Sequence, residues 1–83
     1  MEWRAKVKVV LKKGILDPQG KAIEAGLRRL GYKEITGLSY GKFMEIRLVA
    51  DTEDDARRLV VEACERLLAN PVIEDYEAEI MPA

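Results

Sequence analysis

The stretch Gly14-Ile-Leu-Asp17-Pro18-Gln19-Gly20-Lys21 holds the spacing most suggestive of chemistry. It lies between a strand-like run and a helix-like run, and it ends in glycine–lysine. A phosphate-binding loop occupies that place, with backbone N–H groups cradling the phosphates and a lysine reaching them. The match fails on detail. Five residues separate the glycines, where that loop has four. Ala22 stands where a magnesium-binding hydroxyl is needed. Asp17 brings negative charge to the phosphate position, and Pro18 removes a donor. A capped strand-to-helix loop accounts for the residues better, with Asp17 as N-cap and Pro18 in the first turn. A weaker anion site at the helix start, helped by Lys21, stays open.

Other chemistry has less material. The chain has no histidine and one cysteine, which leaves no zinc site of the usual kind and no internal disulfide. Cys64 falls on an apolar helical stripe, where a thiol is inert. Ser39, Thr36 and Thr52 have no histidine to activate them. RNA recognition needs aromatics on central strands, and KFMEIRLV offers only Phe43 outward. An acylphosphatase-type loop needs an arginine after the first strand, and KKGILDPQG has none.

The elements that must position these residues follow from periodicity. Trp3, Ala5, Val7, Val9 and Leu11 alternate with mostly basic residues, predicting a half-buried strand. Ala22, Ile23, Gly26, Leu27 and Leu30 make one helical face ending at Gly31, with Gly26 giving room for close approach to a sheet. Residues 32–40 and 42–50 read as two strands joined near Gly41. Thr52 and Asp55 cap a second helix with the stripe Ala56, Leu59, Val60, Ala63, Cys64, Leu67 and Leu68. Asp54–Arg58 and Glu62–Arg66 are its expected ion pairs. Asn70-Pro71 ends it, and a last strand carries Tyr76, Ala78 and Ile80 inward. The order βαββαβ predicts an α+β fold: a four-stranded antiparallel sheet with two helices on one face.

Eighty-three residues with 48% hydrophobic and 35% charged side chains form one small domain, residues 1–83, which a partner subunit would help stabilise. No apolar run approaches a membrane span, and MEWRAKVKVV does not read as a signal peptide, so a cytoplasmic protein is expected. Residues 1–33 carry nine basic and three acidic side chains, and residues 34–83 carry five and twelve. Pairing of Arg4, Lys6 and Lys8 beside Asp75, Glu77 and Glu79 on neighbouring first and last strands explains much of that asymmetry without nucleic acid.

LKKGILDPQG and LLANPVIEDYE hold more turn chemistry than plain connections need. Through VKVVLKKGILDPQGKAI, YGKFMEI and LLANPVIEDYEAEI, the chain resembles the PurS family, the small subunits of phosphoribosylformylglycinamidine synthase. Tyr40, at a position that is arginine-like in the family, is a small variation at a turn. The resemblance implies a relative of the ferredoxin-like sandwich and a non-catalytic role. It implies a homodimer or tetramer that bridges a glutaminase subunit and a large synthetase subunit and assists ammonia transfer. It implies no cofactor in this chain, with ATP or ADP and magnesium held by the synthetase subunit. The expected partner-contact residues are Lys12, Gly14, Asp17, Gln19, Gly41, Lys42, Asn70, Glu74 and Tyr76. Asp17 and Asn70 mostly shape loops, whereas Lys12, Gln19, Lys42 and Tyr76 extend beyond the caps. An ACT-like small-molecule sensor is the first alternative, and a small phosphate-processing enzyme the second.

Overall fold

Period-two alternation in the first ten residues becomes the central strand of the molecule. A computed structural model describes Met1–Ala83, with elements β1 (Glu2–Leu11), α1 (Pro18–Arg29), β2 (Gly41–Val49), α2 (Glu53–Ala63) and β3 (Glu74–Pro82). A π-helical turn, Cys64–Leu68, extends α2. The sheet is antiparallel in the order β2-β1-β3. The α+β class and the pairing of first and last strands follow the sequence expectation.

Trp3, Ala5, Val7 and Val9 point into the core, with Ala56, Val60 and Cys64 of α2 and its extension above them. Burying a valine such as Val7 or Val60 contributes about 1.5–3 kcal/mol. The Trp3 indole N–H donates to the Ala50 carbonyl at 3.0 Å, satisfying its one polar group. Thr52 Oγ1 accepts from the Asp55 N–H at 3.1 Å, fixing where α2 begins. Arg58 faces Asp55 and Glu62 instead of Asp54, and Glu62 also meets Arg66.

On the open face, Lys6 lies opposite Glu79 and Lys8 opposite Glu77. Arg4 lies opposite Met81, whose sulfur accepts from its guanidinium at 3.7 Å, and Asp75 lies opposite Val10. The basic and acidic rows are therefore neighbours, but only Lys6 and Lys8 face carboxylates directly.

Two expectations fail. The sheet has three strands, not four, because residues 32–40 form no strand. Helix α1 ends in a Schellman motif: Gly31 (φ +96°) donates to Arg28 O, and Tyr32 donates to Leu27 O. The chain must then return to Tyr40, whose N–H is bound to Asp17 at the start of α1. That return spans a helix of about 18 Å and consumes the residues that would have paired with β2.

Nor does α1 lie on the sheet. Only α2 packs against β1 and β3. Helix α1 and the returning segment, residues 32–40, form an arm that continues the long axis. Ten strand residues span about 33 Å and twelve helical residues about 18 Å, together matching the 51 Å length of the molecule. The radius of gyration is 16.3 Å, against about 12 Å for a compact domain of this size. Gly26 accordingly approaches no strand: a Cβ there would meet only an Arg29 nitrogen at 3.9 Å.

Candidate functional site: the hinge between sheet and arm

The arm joins the sheet where β1 ends and β2 begins, with Val10 opposite Gly41. Asp17 organises this hinge. Its Oδ1 accepts from the Gly20 N–H at 2.9 Å, capping α1, and its Oδ2 accepts from the Tyr40 N–H at 3.1 Å. The Lys21 N–H turns to the Asp17 carbonyl, and Pro18 has none to offer. The first-turn donors that a phosphate would use are therefore largely taken or missing.

Two glycines are required by close approach. A Cβ on Gly20 would overlap the Asp17 carboxylate. A Cβ on Gly41 would come within 2.5 Å of the Val9 carbonyl oxygen. Gly14, with φ +85°, supplies a left-handed turn between β1 and the cap.

The Asp17–Tyr40 link separates two clefts. The first, about 290 Å³, has Val9 and Leu11 among its lining, with Gln19, Gly41, Lys42 and Glu74 around them. The second, about 270 Å³, takes in Lys12, Gly14, Lys21, Leu38 and Ser39. Both clefts touch Leu11, Asp17 and Tyr40. Glu74 braces the first cleft. Its Oε1 accepts from the Asn70 N–H at 2.6 Å, and its Oε2 lies 3.5 Å from Lys42 Nζ. Asn70 in turn holds its own loop, its Oδ1 accepting from the Val72 N–H at 3.1 Å. Lys12 reaches Asp75 at 2.7 Å, and its N–H donates to the Ile73 carbonyl.

Of the nine expected contact residues, Asp17, Gln19, Gly41, Lys42 and Glu74 meet at the first cleft, and Lys12 and Gly14 at the second. Asn70 lies behind Glu74, so it acts on the cleft through that carboxylate. Tyr76 sits further along β3, opposite Val9 and packed against the core. Burial, followed by the neighbouring Glu65 carboxylate, raises its phenol above the ordinary range. Lys42 and Tyr76 are thus more tied down than their length suggests. Sequence reasoning missed Tyr40 as a site residue. Its signal was an aromatic directly before the hinge glycine. Cys64 is fully buried, its thiol raised by burial and then by Glu65. No group of three or more metal-ligating side chains comes together, and no helix is long and apolar enough to cross a membrane.

These features define an α+β module in the order βαβαβ, with α1 and residues 32–40 forming a projecting arm and polar residues gathered at the hinge. The particular family follows from comparison. The chain belongs to the PurS family: the family model described as PurS, phosphoribosylformylglycinamidine (FGAM) synthase, matches residues 4–82. It is 44% identical over 78 residues to the PurS subunit of that synthase from Bacillus subtilis, covering 94% of this chain and 92% of the relative. The crystal structure of Methanocaldococcus jannaschii PurS superposes with a TM-score of 0.86 at 36% identity, covering 98% of each chain. That protein is described as one of the subunits of formylglycinamide ribonucleotide amidotransferase in the purine biosynthetic pathway. The PurLQS structure from Thermotoga maritima contains a similar chain: TM-score 0.89, 31% identity, and coverage of 98% of this chain and 99% of that one.

Proposed function

We propose that this chain is the small, non-catalytic subunit of a phosphoribosylformylglycinamidine synthase, joining a glutaminase subunit to a large synthetase subunit. Family membership over residues 4–82 carries this reading, and the related chain in the PurLQS assembly supports it. In such a synthase the glutaminase hydrolyses glutamine to glutamate and ammonia. The synthetase uses ATP to join the ammonia to formylglycinamide ribonucleotide, giving the amidine with ADP and phosphate as the other products. This chain contributes position. It holds the two larger subunits in the relation that lets ammonia pass between them, and it acts as a homodimer or tetramer in the cytoplasm. ATP or ADP and magnesium belong to the synthetase subunit.

The hinge clefts are the surface we assign to subunit contact. Gln19 and Tyr40 are exposed there on a framework fixed by Asp17 and Glu74, and rigidly held loop residues of this kind suit recognition. Reconstitution tests the reading. Purified glutaminase and synthetase subunits are mixed with Mg-ADP and glutamine, with and without this chain, and assayed for complex size. Glutamine-dependent amidine formation is then followed with ATP and substrate. The large complex and the coupled activity should both require the chain. If both are unchanged without it, the bridging role is wrong.

A further inference from the structure

The open face of the sheet, opposite α2, carries its charges in cross-strand rows. Lys6 has a carboxylate on each neighbouring strand, Glu45 on β2 and Glu79 on β3, and Lys8 has Glu77. Arg4 has neither. It lies opposite Arg47 on β2 and Met81 on β3. Like charges directly opposite each other weaken a strand pair, so this position costs stability within the chain.

Both guanidiniums are short of acceptors. Arg4 donates to the Met81 sulfur at 3.7 Å, a weak acceptor, and its Nε is buried with no partner. Neither arginine makes an ion pair. They line a cleft of about 250 Å³ with Glu2, Trp3 and Ala83, and Glu2 pairs with neither of them. Apolar residues on the same face of β2 are uncovered as well: Val49 is 71% exposed and Phe43 54%.

We infer that Arg4 and Arg47 form a docking site for a carboxylate side chain on one of the two larger subunits. The inference rests on the bridging role proposed above and gives it a second contact. Arginine is the side chain that receives a carboxylate through two parallel hydrogen bonds. The cleft opens on a strand face, so a free anion there competes with water for solvent-exposed donors and is held weakly. A carboxylate carried on a docked surface is held by the whole contact, which also covers Phe43 and Val49. Uncovered aromatic and arginine side chains together suit the core of such an interface. Position agrees. Arg4 and Val10, the latter at the hinge, stand about 20 Å apart along β1. A chain that joins two subunits needs two separate surfaces, and the hinge clefts and the arginine pair supply them.

Reconstitution with arginine variants tests this. The chain is titrated into the purified glutaminase and synthetase subunits with Mg-ADP and glutamine, and its dissociation constant is read by sedimentation at low and high salt. Arg47→Gln should raise that constant about tenfold, the worth of one charge-assisted hydrogen bond. Its thermal melt should be unchanged or higher, since one of two facing like charges is gone. Arg47→Glu should bind more weakly still, because it gives Arg4 a carboxylate within the chain. The advantage of the wild type should shrink at high salt. Full-strength assembly by both variants overturns the docking site and leaves the bridging role standing. A wild-type chain that joins neither subunit overturns both. A melting temperature that falls with Arg47→Gln assigns the pair to the fold and overturns the site. Two control arms use the chain alone. A wild-type melt raised by millimolar inorganic phosphate and unraised in Arg47→Gln, with assembly unaffected, makes the ligand a free anion and overturns the proposal. A variant that changes its own sedimenting size places the carboxylate on a second copy of this chain, which overturns it too.

Discussion

The carboxylate of Asp17 binds the backbone N–H of Tyr40, 23 residues away, at 3.1 Å, while its other oxygen caps α1. One side chain thereby closes the whole arm at its root. Removing it should cost more than an ordinary cap. Asp17→Ala is expected to ease local opening of the arm by about 2 kcal/mol, read by amide exchange at Gly20 and Tyr40. Thr52→Ala, which loses a cap alone, should cost about 1 kcal/mol and act on α2 only.

Gly20→Ala separates packing from propensity. Alanine in a helix interior is favoured over glycine by about 1 kcal/mol, so propensity alone predicts a gain. The Asp17 carboxylate occupies the space of the new methyl, so urea denaturation should show a loss. Gly41→Ala should also destabilise, because its methyl meets the Val9 carbonyl of the paired strand.

Glu74 and Lys12 make opposite kinds of contact. The Glu74 side chain is 15% exposed and accepts a backbone N–H. Glu74→Ala loses both contacts and should cost about 0.5–1.5 kcal/mol, the net worth of a hydrogen bond whose donor water can still reach. The Lys12–Asp75 pair is shorter but solvent-exposed, and Lys12→Ala should cost less than about 1 kcal/mol. The ratio of the two losses in one denaturation series is the measurement.

Alkaline pH should weaken the fold. Burial raises the Cys64 thiol and the Tyr76 phenol above their ordinary values of 9.0 and 10.0. The folded chain therefore holds protons that the unfolded chain releases. Stability is full below pH about 9 and falls as pH rises toward the folded values. Cys64→Ala should flatten the first part of that decline in melts taken from pH 7 to 10.

Gln19 lines the first cleft and is exposed. Gln19→Ala should leave the melting temperature nearly unchanged and weaken assembly with the larger subunits. A full-strength complex with this variant would remove Gln19 from the contact surface.

The strands, the caps and the core face were written locally, and so were legible. Trp3 to Val9 alternate because one face is buried, Asp17 and Thr52 accept where helices must start, and Cys64 falls on the stripe of α2. These patterns depend on neighbours a few residues away. The sequence also spoke for the family and for most of the hinge residues. The fate of residues 32–40 was not local. They look like a strand, but Gly31 and the Asp17–Tyr40 bond force them back along α1, and a bond across 23 residues leaves no periodic trace. The position of α1 was equally hidden. Its apolar face, Ile23, Leu27 and Leu30, reads the same whether it covers its own sheet or another chain's, because periodicity reports that a face is buried and not by what. Tertiary structure alone decided that the arm points outward, since that depends on the geometry of one hinge.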